Sequence, residues 1–155
     1  MSTTTLILLL GDIHANDAAL AAVFADAHRR YPGHRLPVWF LGDLFGRGPR
    51  PAAAYRRLTE EQPEALIVGN HEGGLIGRYR NAHNGDTSSG VYNQDDWRVL
   101  LAHRRDLLHQ GYLSANADGE INGPMADFIR RLPTVCAPRP GIYLVHGALK
   151  RIGWI

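Results

Sequence analysis

This chain has a single cysteine, Cys136. No internal disulfide can staple it, and a reducing compartment suits it. In Val135-Cys136-Ala137 the thiol shows no activating neighbours, so it reads as a small buried hydrophobe. Long hydrophobic runs are missing as well. The first apolar stretch, residues 6–10, follows a polar Met1-Ser2-Thr3-Thr4-Thr5. It is too short for a signal core or a membrane span, and no basic region precedes it. The expectation is a soluble, cytoplasmic protein with no membrane partner. An excess of one charge is missing too. Seventeen basic and 15 acidic residues leave a formal +2, which gives no mandate for nucleic acid or an anionic membrane. The segment Gly11-Asp12-Ile13-His14 contains no Gly-x-Gly-x-x-Gly turn, which argues against a dinucleotide-binding domain. No solenoid-type repeat is present.

What is there is enough for a core: 155 residues, 45% of them hydrophobic, fit one domain over residues 1–155. Residues 6–10 form an unbroken apolar run that predicts a fully buried strand. Residues 17–30 predict a helix, rich in alanine, with Leu20, Val23 and Phe24 as its apolar face and Tyr31-Pro32-Gly33 as its stop. Pro37 opens a second strand over 38–41, residues 52–58 a second helix, and 65–68 a third strand. This alternation predicts an α/β fold with a βαβαβ core, a parallel sheet and right-handed crossovers.

Beyond it, residues 73–90 read as a Gly/Asn/Ser-rich loop or short helix. Asn93 caps a predicted helix over 94–109 with Trp97, Leu100, Leu101, Leu107 and Leu108 as its buried stripe. Residues 114–119 are turn-like, and a short helix over 124–131 begins on Pro124. Residues 135–137 and 142–145 predict two strands joined by a tight turn. Arg104 and Arg105 read as a solvated helix face, Trp39 and Trp97 as core, and Trp154 as partly covered. His28, His34, His83, His103 and His109 read as surface or helix-face residues, with His83 a minor candidate for touching substrate.

The chemistry sits where strands end. Gly11-Asp12-Ile13-His14, Gly42-Asp43 and Gly69-Asn70-His71-Glu72 each follow a predicted strand, and Val145-His146-Gly147 follows a fourth. Parallel strands gather their C-terminal ends on one sheet edge, where ligands crowd. Asp12 and His14, one residue apart, can reach one ion. Asp43 can bridge two metals with its two oxygens. Asn70 offers a carbonyl oxygen and His146 an imidazole nitrogen. This donor set suits two divalent ions such as Mn, Fe or Zn. Two close cations can polarise a phosphoryl group and hold a hydroxide formed at neutral pH, the chemistry of in-line displacement at phosphorus. His71 is placed to protonate a leaving oxygen, and Arg47 to grip a phosphate oxygen by a forked contact.

These four motifs, in this order and spacing across most of the chain, resemble the calcineurin-like metallophosphoesterases. The matching elements are Gly-Asp-Ile-His-Ala-Asn at 11–16, Gly-Asp-Leu-Phe-Gly-Arg-Gly-Pro at 42–49, Gly-Asn-His-Glu at 69–72 and Val-His-Gly at 145–147. The second is most similar to the short bacterial phosphodiesterase or phosphatase branch. The resemblance implies Asp12 and His14 on one metal, Asp43 bridging, and Asn70 and His146 on the other. His71 would be the acid or transition-state stabiliser.

Two features depart from the pattern. The family's protein phosphatases carry an Asp where Gly46 stands, orienting the acid His; here that partner is absent, or is replaced by another group such as Glu72. The family's closing Gly-His-x-His segment, one His per metal, does not follow Val-His-Gly. The expectation is therefore an incomplete second sheet, weakened metal binding, low activity and self-association through a free edge. A phosphate-ester hydrolase leads; the alternative is a weakly active or inactive remnant of that fold with a binding or regulatory role.

Overall fold

The computed structural model describes residues 5–77 and 94–147. In chain order the elements are β1 (Leu8–Leu10), α1 (Asp17–Arg30), β2 (Val38–Phe40), α2 (Pro51–Glu60), β3 (Ala65–Leu66) and α3 (Asn70–Leu75). Then come α4 (Gln94–His109), β4 (Ser114–Ala115), β5 (Ile121–Asn122), α5 (Pro124–Arg131), β6 (Val135–Arg139) and β7 (Ile142–Val145). The fold is α/β, as the alternation predicts. β1, β2 and β3 form a parallel sheet in that order, with Leu9 beside Trp39 and Trp39 beside Ala65. β4–β5 and β6–β7 are antiparallel pairs.

Alternation along the strands splits the core in two. Leu8, Leu10, Val38, Phe40, Leu66 and Val68 face the helices and join the larger cluster with Leu20, Phe24, Leu58, Leu75, Leu100 and Ile129. Trp39, Ala65 and Ile67 face the other way and meet Leu144 and Cys136 of the β6–β7 hairpin. The hairpin is tied on by Val68 N–H to the Pro133 carbonyl at 2.9 Å and by an Arg139–Glu64 ion pair. Cys136 is half-buried there, and burial raises the pKa of its thiol. Among the described residues no helix is long and apolar enough to cross a membrane.

Helix α1 spans the expected residues because Asn16 Oδ1 accepts the Ala19 N–H at 3.1 Å, a side-chain N-cap. Asp17, at its first position, holds Arg57 of α2 at 2.6 Å.

The structure corrects several expectations. β1 is not fully buried: it is an edge strand, and Leu9 is 55% exposed because the hairpin covers the Trp39–Ala65 side of that face and stops short of it. β1, β2 and β3 are shorter than their apolar runs, and that of β3 continues into a buried loop at Ile67 and Val68; β6 runs past its expected end to Arg139. Val23 and Leu101 are exposed, each lying off the face its helix turns inward. Arg104 is not a solvated residue. Its guanidinium donates to the carbonyls of Gly74 and Leu75 at 2.8 Å, closing the end of α3, and stacks on Trp97. The expectations for His83, Asn93 and Trp154 lie outside the described residues.

Candidate metal centre

Each parallel strand runs on into a loop that stays in step with its neighbour. Asp12 N–H donates to the Gly42 carbonyl at 3.0 Å, His14 N–H to Asp43 at 3.0 Å and Ala15 N–H to Leu44 at 2.6 Å. The loops after β1 and β2 are thus fixed to each other beyond the strand ends. They are also strained. Of six non-glycine residues with positive φ among those described, five lie here: Asp12 (52°), His14 (49°), Ala15 (57°), Asp43 (60°) and Arg47 (53°). A left-handed backbone costs about 1–2 kcal/mol per L-residue. Such strain survives only where the surroundings over-determine it, and it collects at functional sites.

The strained loops bring the expected ligands together. His14, Asp43 and His71 have donor atoms within 4.8 Å of one another, and so do Asp12, Asp43 and His146. Asp43 belongs to both groups. Its Oδ2 lies 4.0 Å from His14 Nε2, 3.9 Å from His71 Nε2 and 3.4 Å from His146 Nε2. Asn70 Oδ1 is 3.0 Å from His146 Nε2, and Asp12 Oδ1 is 3.6 Å from His14 Nε2. Ligands tetrahedrally arranged at ordinary Zn–N and Zn–O lengths sit roughly 3.3 Å apart, so these groups are close enough together to hold a cation. All five sequence-expected ligands converge. His71, set apart in the sequence as a proton donor, joins them, with its ring edge-on to His14 at 4.7 Å between centroids.

Two imidazoles are aimed by the backbone. His14 Nδ1 is 2.8 Å from the Phe45 carbonyl, and His146 Nδ1 is 2.8 Å from the Leu41 carbonyl. A carbonyl can only accept, so each Nδ1 carries the proton and each Nε2 turns toward Asp43. This outer hydrogen bond is the usual support of a metal-bound histidine.

Burial works against the Asp43 charge, but the hydrogen bond from His146 and the nearness of His71 win and hold its carboxyl below the usual range. The same bond raises His146 to about 9, against its own burial. Burial pushes His71 down, with Asp43 opposing; the Arg47 charge adds to the depression.

Glu72 does not orient His71. Its carboxylate accepts four backbone N–H groups: Asp43 at 2.8 Å and Gly69 at 2.7 Å on Oε2, Leu44 at 2.7 Å and Phe45 at 3.3 Å on Oε1. It is 1% exposed, and it knots the Asp43 loop to the start of α3. Burial and the nearby Asp43 charge raise its pKa, and the N–H donors of Asp43, Gly69 and Leu44 pull back; a shell of donors with no acceptor among them favours the ionised form. Position 46 is indeed the one that faces His71. A Cβ on Gly46, whose φ is 92°, would lie 2.3 Å from His71 Nδ1, so this backbone leaves no room there for an orienting side chain.

One residue of the site escaped the sequence. His103, expected as a surface or helix-face residue, is 5% exposed. Its Nδ1 accepts the Gly46 N–H at 3.3 Å and its Nε2 reaches the Gly48 carbonyl at 2.6 Å. Its position on α4 beside Leu100 and Leu107 was the available signal, since those residues define the buried face. Arg47 is exposed at the tip of the Gly46–Gly48 turn, and its Nε is 3.3 Å from Asp96 Oδ1 on the same helix.

Comparison with known proteins agrees with this geometry. The family model described as calcineurin-like phosphoesterase matches residues 5–154. A symmetrical bis(5'-nucleosyl)-tetraphosphatase of Burkholderia thailandensis is 28% identical, over 80% of this chain and 48% of that protein. The crystal structure of a metallophosphoesterase from Sphaerobacter thermophilus is similar at a TM-score of 0.52 and 25% identity, over 84% of this chain and 42% of that one. The chain thus spans about half the length of these relatives. With a family match that runs almost end to end over a shared-carboxylate cluster at the parallel strand ends, the chain belongs to the calcineurin-like phosphoesterases.

Proposed function

We propose that the chain binds two divalent cations and hydrolyses phosphate esters. The observation that carries this reading is Asp43, whose carboxylate is common to two three-residue donor groups. The donor set fits such ions: carboxylates, an amide oxygen and imidazoles suit Mn, Fe or Zn, and two of the imidazoles are pre-turned by backbone carbonyls. One position would take His14, Asp12 and Asp43; the other Asp43, Asn70 and His146. Bound there, a cation pair supplies Lewis acidity at phosphorus and a nucleophile at neutral pH.

The protein's own groups do the rest. Arg47, on the loop beside His71, is suited to hold a phosphate oxygen through a planar fork. His71 is suited to give a proton from its ring to the leaving oxygen. The Glu72 knot and the loop-to-loop hydrogen bonds keep these groups in place before substrate arrives, which is how positioning contributes to rate. The nucleoside polyphosphate in the name of the Burkholderia relative makes that class the first natural type of substrate to try.

The test is hydrolysis of an aryl phosphate monoester, an aryl phosphate diester and a dinucleoside tetraphosphate with Mn added. Turnover that a chelator abolishes and Mn restores supports the reading. Tight ion binding with no turnover of any of the three would reject the hydrolase and favour a binding role.

A further inference from the structure

We propose that His103 is a positioning residue for Arg47, a role that rests on the phosphoesterase reading above. Arg47 holds a left-handed backbone (φ 53°) on an exposed loop, a conformation an arginine leaves unless its neighbours hold it. One ring holds the residues on either side of it, at the peptide that enters Gly46 and the peptide that leaves Gly48. Gly46 N–H donates to His103 Nδ1 at 3.3 Å, and His103 Nε2 donates to the Gly48 carbonyl at 2.6 Å. That carbonyl can only accept, so the proton sits on Nε2 and the lone pair on Nδ1 is left for Gly46. The Gly48 N–H closes the turn on the His14 carbonyl at 2.7 Å.

His103 is itself buried and hydrogen-bonded at both ring nitrogens. It lies on α4, between the core residues Leu100 and Leu107. Asp96 lies two helical turns earlier on the same helix and takes the Arg47 guanidinium. One rigid helix therefore grips Arg47 twice, by its flanking backbone and by its side chain. The turn it grips lies against the metal cluster: a Cβ at Gly46 would stand 2.3 Å from His71 Nδ1 and 3.3 Å from His14 Nδ1. A guanidinium displaced by about 1 Å loses much of its hold on a transferring group. His103 is hydrogen-bonded to the turn at Gly46 and Gly48 and acts through it.

A double-mutant cycle tests this. His103→Phe keeps the volume and removes both hydrogen bonds; His103→Gln keeps an amide acceptor and donor. Each is made alone and with Arg47→Ala, and inorganic phosphate affinity of the Mn-loaded protein is measured beside kcat and KM on an aryl phosphate. In the native background, His103→Phe should weaken phosphate binding and lower kcat/KM by about tenfold, a coupling typical of residues acting through one another. With Arg47→Ala present, the same change should cost less than about twofold. His103→Gln should recover part of the loss. Amide exchange at Gly46, read by NMR on metal-free protein, should speed in His103→Phe while the α4 amides keep their protection. Equal losses in both backgrounds, or an unchanged Gly46 amide, would overturn the assignment. If no variant hydrolyses any ester, the phosphoesterase reading fails by itself. The phosphate cycle and the Gly46 amide still decide the role of His103: no coupling there rejects it.

Discussion

Replacing Glu72 by Gln is the sharpest perturbation of this site short of touching a ligand. The carboxylate receives four N–H groups, two on each oxygen, from Asp43, Leu44, Phe45 and Gly69. A glutamine retains one oxygen for two of them. Its amide NH2 must face the other two donors, with no acceptor to offer. Hydrogen bonds to a charged group contribute about 1.5–3 kcal/mol each, and a buried donor left unmet costs about 1–3 kcal/mol. Against this stands relief from burying a charge beside Asp43, a burial that raises the Glu72 pKa. The balance is a loss of about 3 kcal/mol, at the upper end for a single substitution. Urea denaturation of the metal-free protein at neutral pH measures it as a fall in midpoint at constant m-value. The argument depends on an ionised Glu72. Were it protonated in the fold, Gln would be nearly isosteric with it, and a change below about 1 kcal/mol would refute the four-donor account.

Three further outcomes are expected. His71→Ala should cut the rate of aryl phosphate hydrolysis by about 10²–10⁴-fold if the ring transfers a proton; bound metal should change little, and a large metal loss would make it a ligand instead. Gly46→Ala forces a Cβ to 2.3 Å from His71 Nδ1 at a φ of 92°; it should destabilise the protein by about 1–3 kcal/mol in urea, and a neutral effect would show that the turn sits elsewhere. Burial lowers the pKa of His103 from 6.5; the fold therefore favours the neutral ring. Its stability contribution is complete above the unfolded value and declines as pH falls below it toward the folded value. The drop in urea midpoint from pH 7.5 to 5 should be smaller in His103→Phe than in the native protein, and equal drops would remove His103 from the pH dependence.

Much of this molecule was legible in its sequence, for identifiable reasons. Helices α1, α4 and α5 carry clear apolar periodicity and firm ends, and their expected ranges match. The convergence of the candidate ligands was legible because Asp12, Asp43 and Asn70 each follow a strand in a parallel sheet, and topology alone brings those ends together. Burial of polar side chains was not legible. A histidine or arginine on a helix reads as solvated until a partner is known. The partners of His103 and Arg104 are backbone groups of a distant loop and of the end of α3, 55 and 30 residues away. The role of Glu72 was hidden for the same reason: its partners are N–H groups, which carry no signature in residue identity. The exposure of Leu9 depends on how far the β6–β7 hairpin reaches across the sheet, and its own apolar run says nothing of that.

The shared carboxylate of Asp43 is the centre of the account, and metal stoichiometry tests it most directly. Calorimetric titration of Mn into the metal-free chain, with bound metal counted by elemental analysis, should saturate at two ions per chain. Asp43→Ala should weaken both together, and Asp12→Ala only one. One ion per chain at saturation, or an Asp43→Ala protein that keeps one site at native affinity, would contradict it.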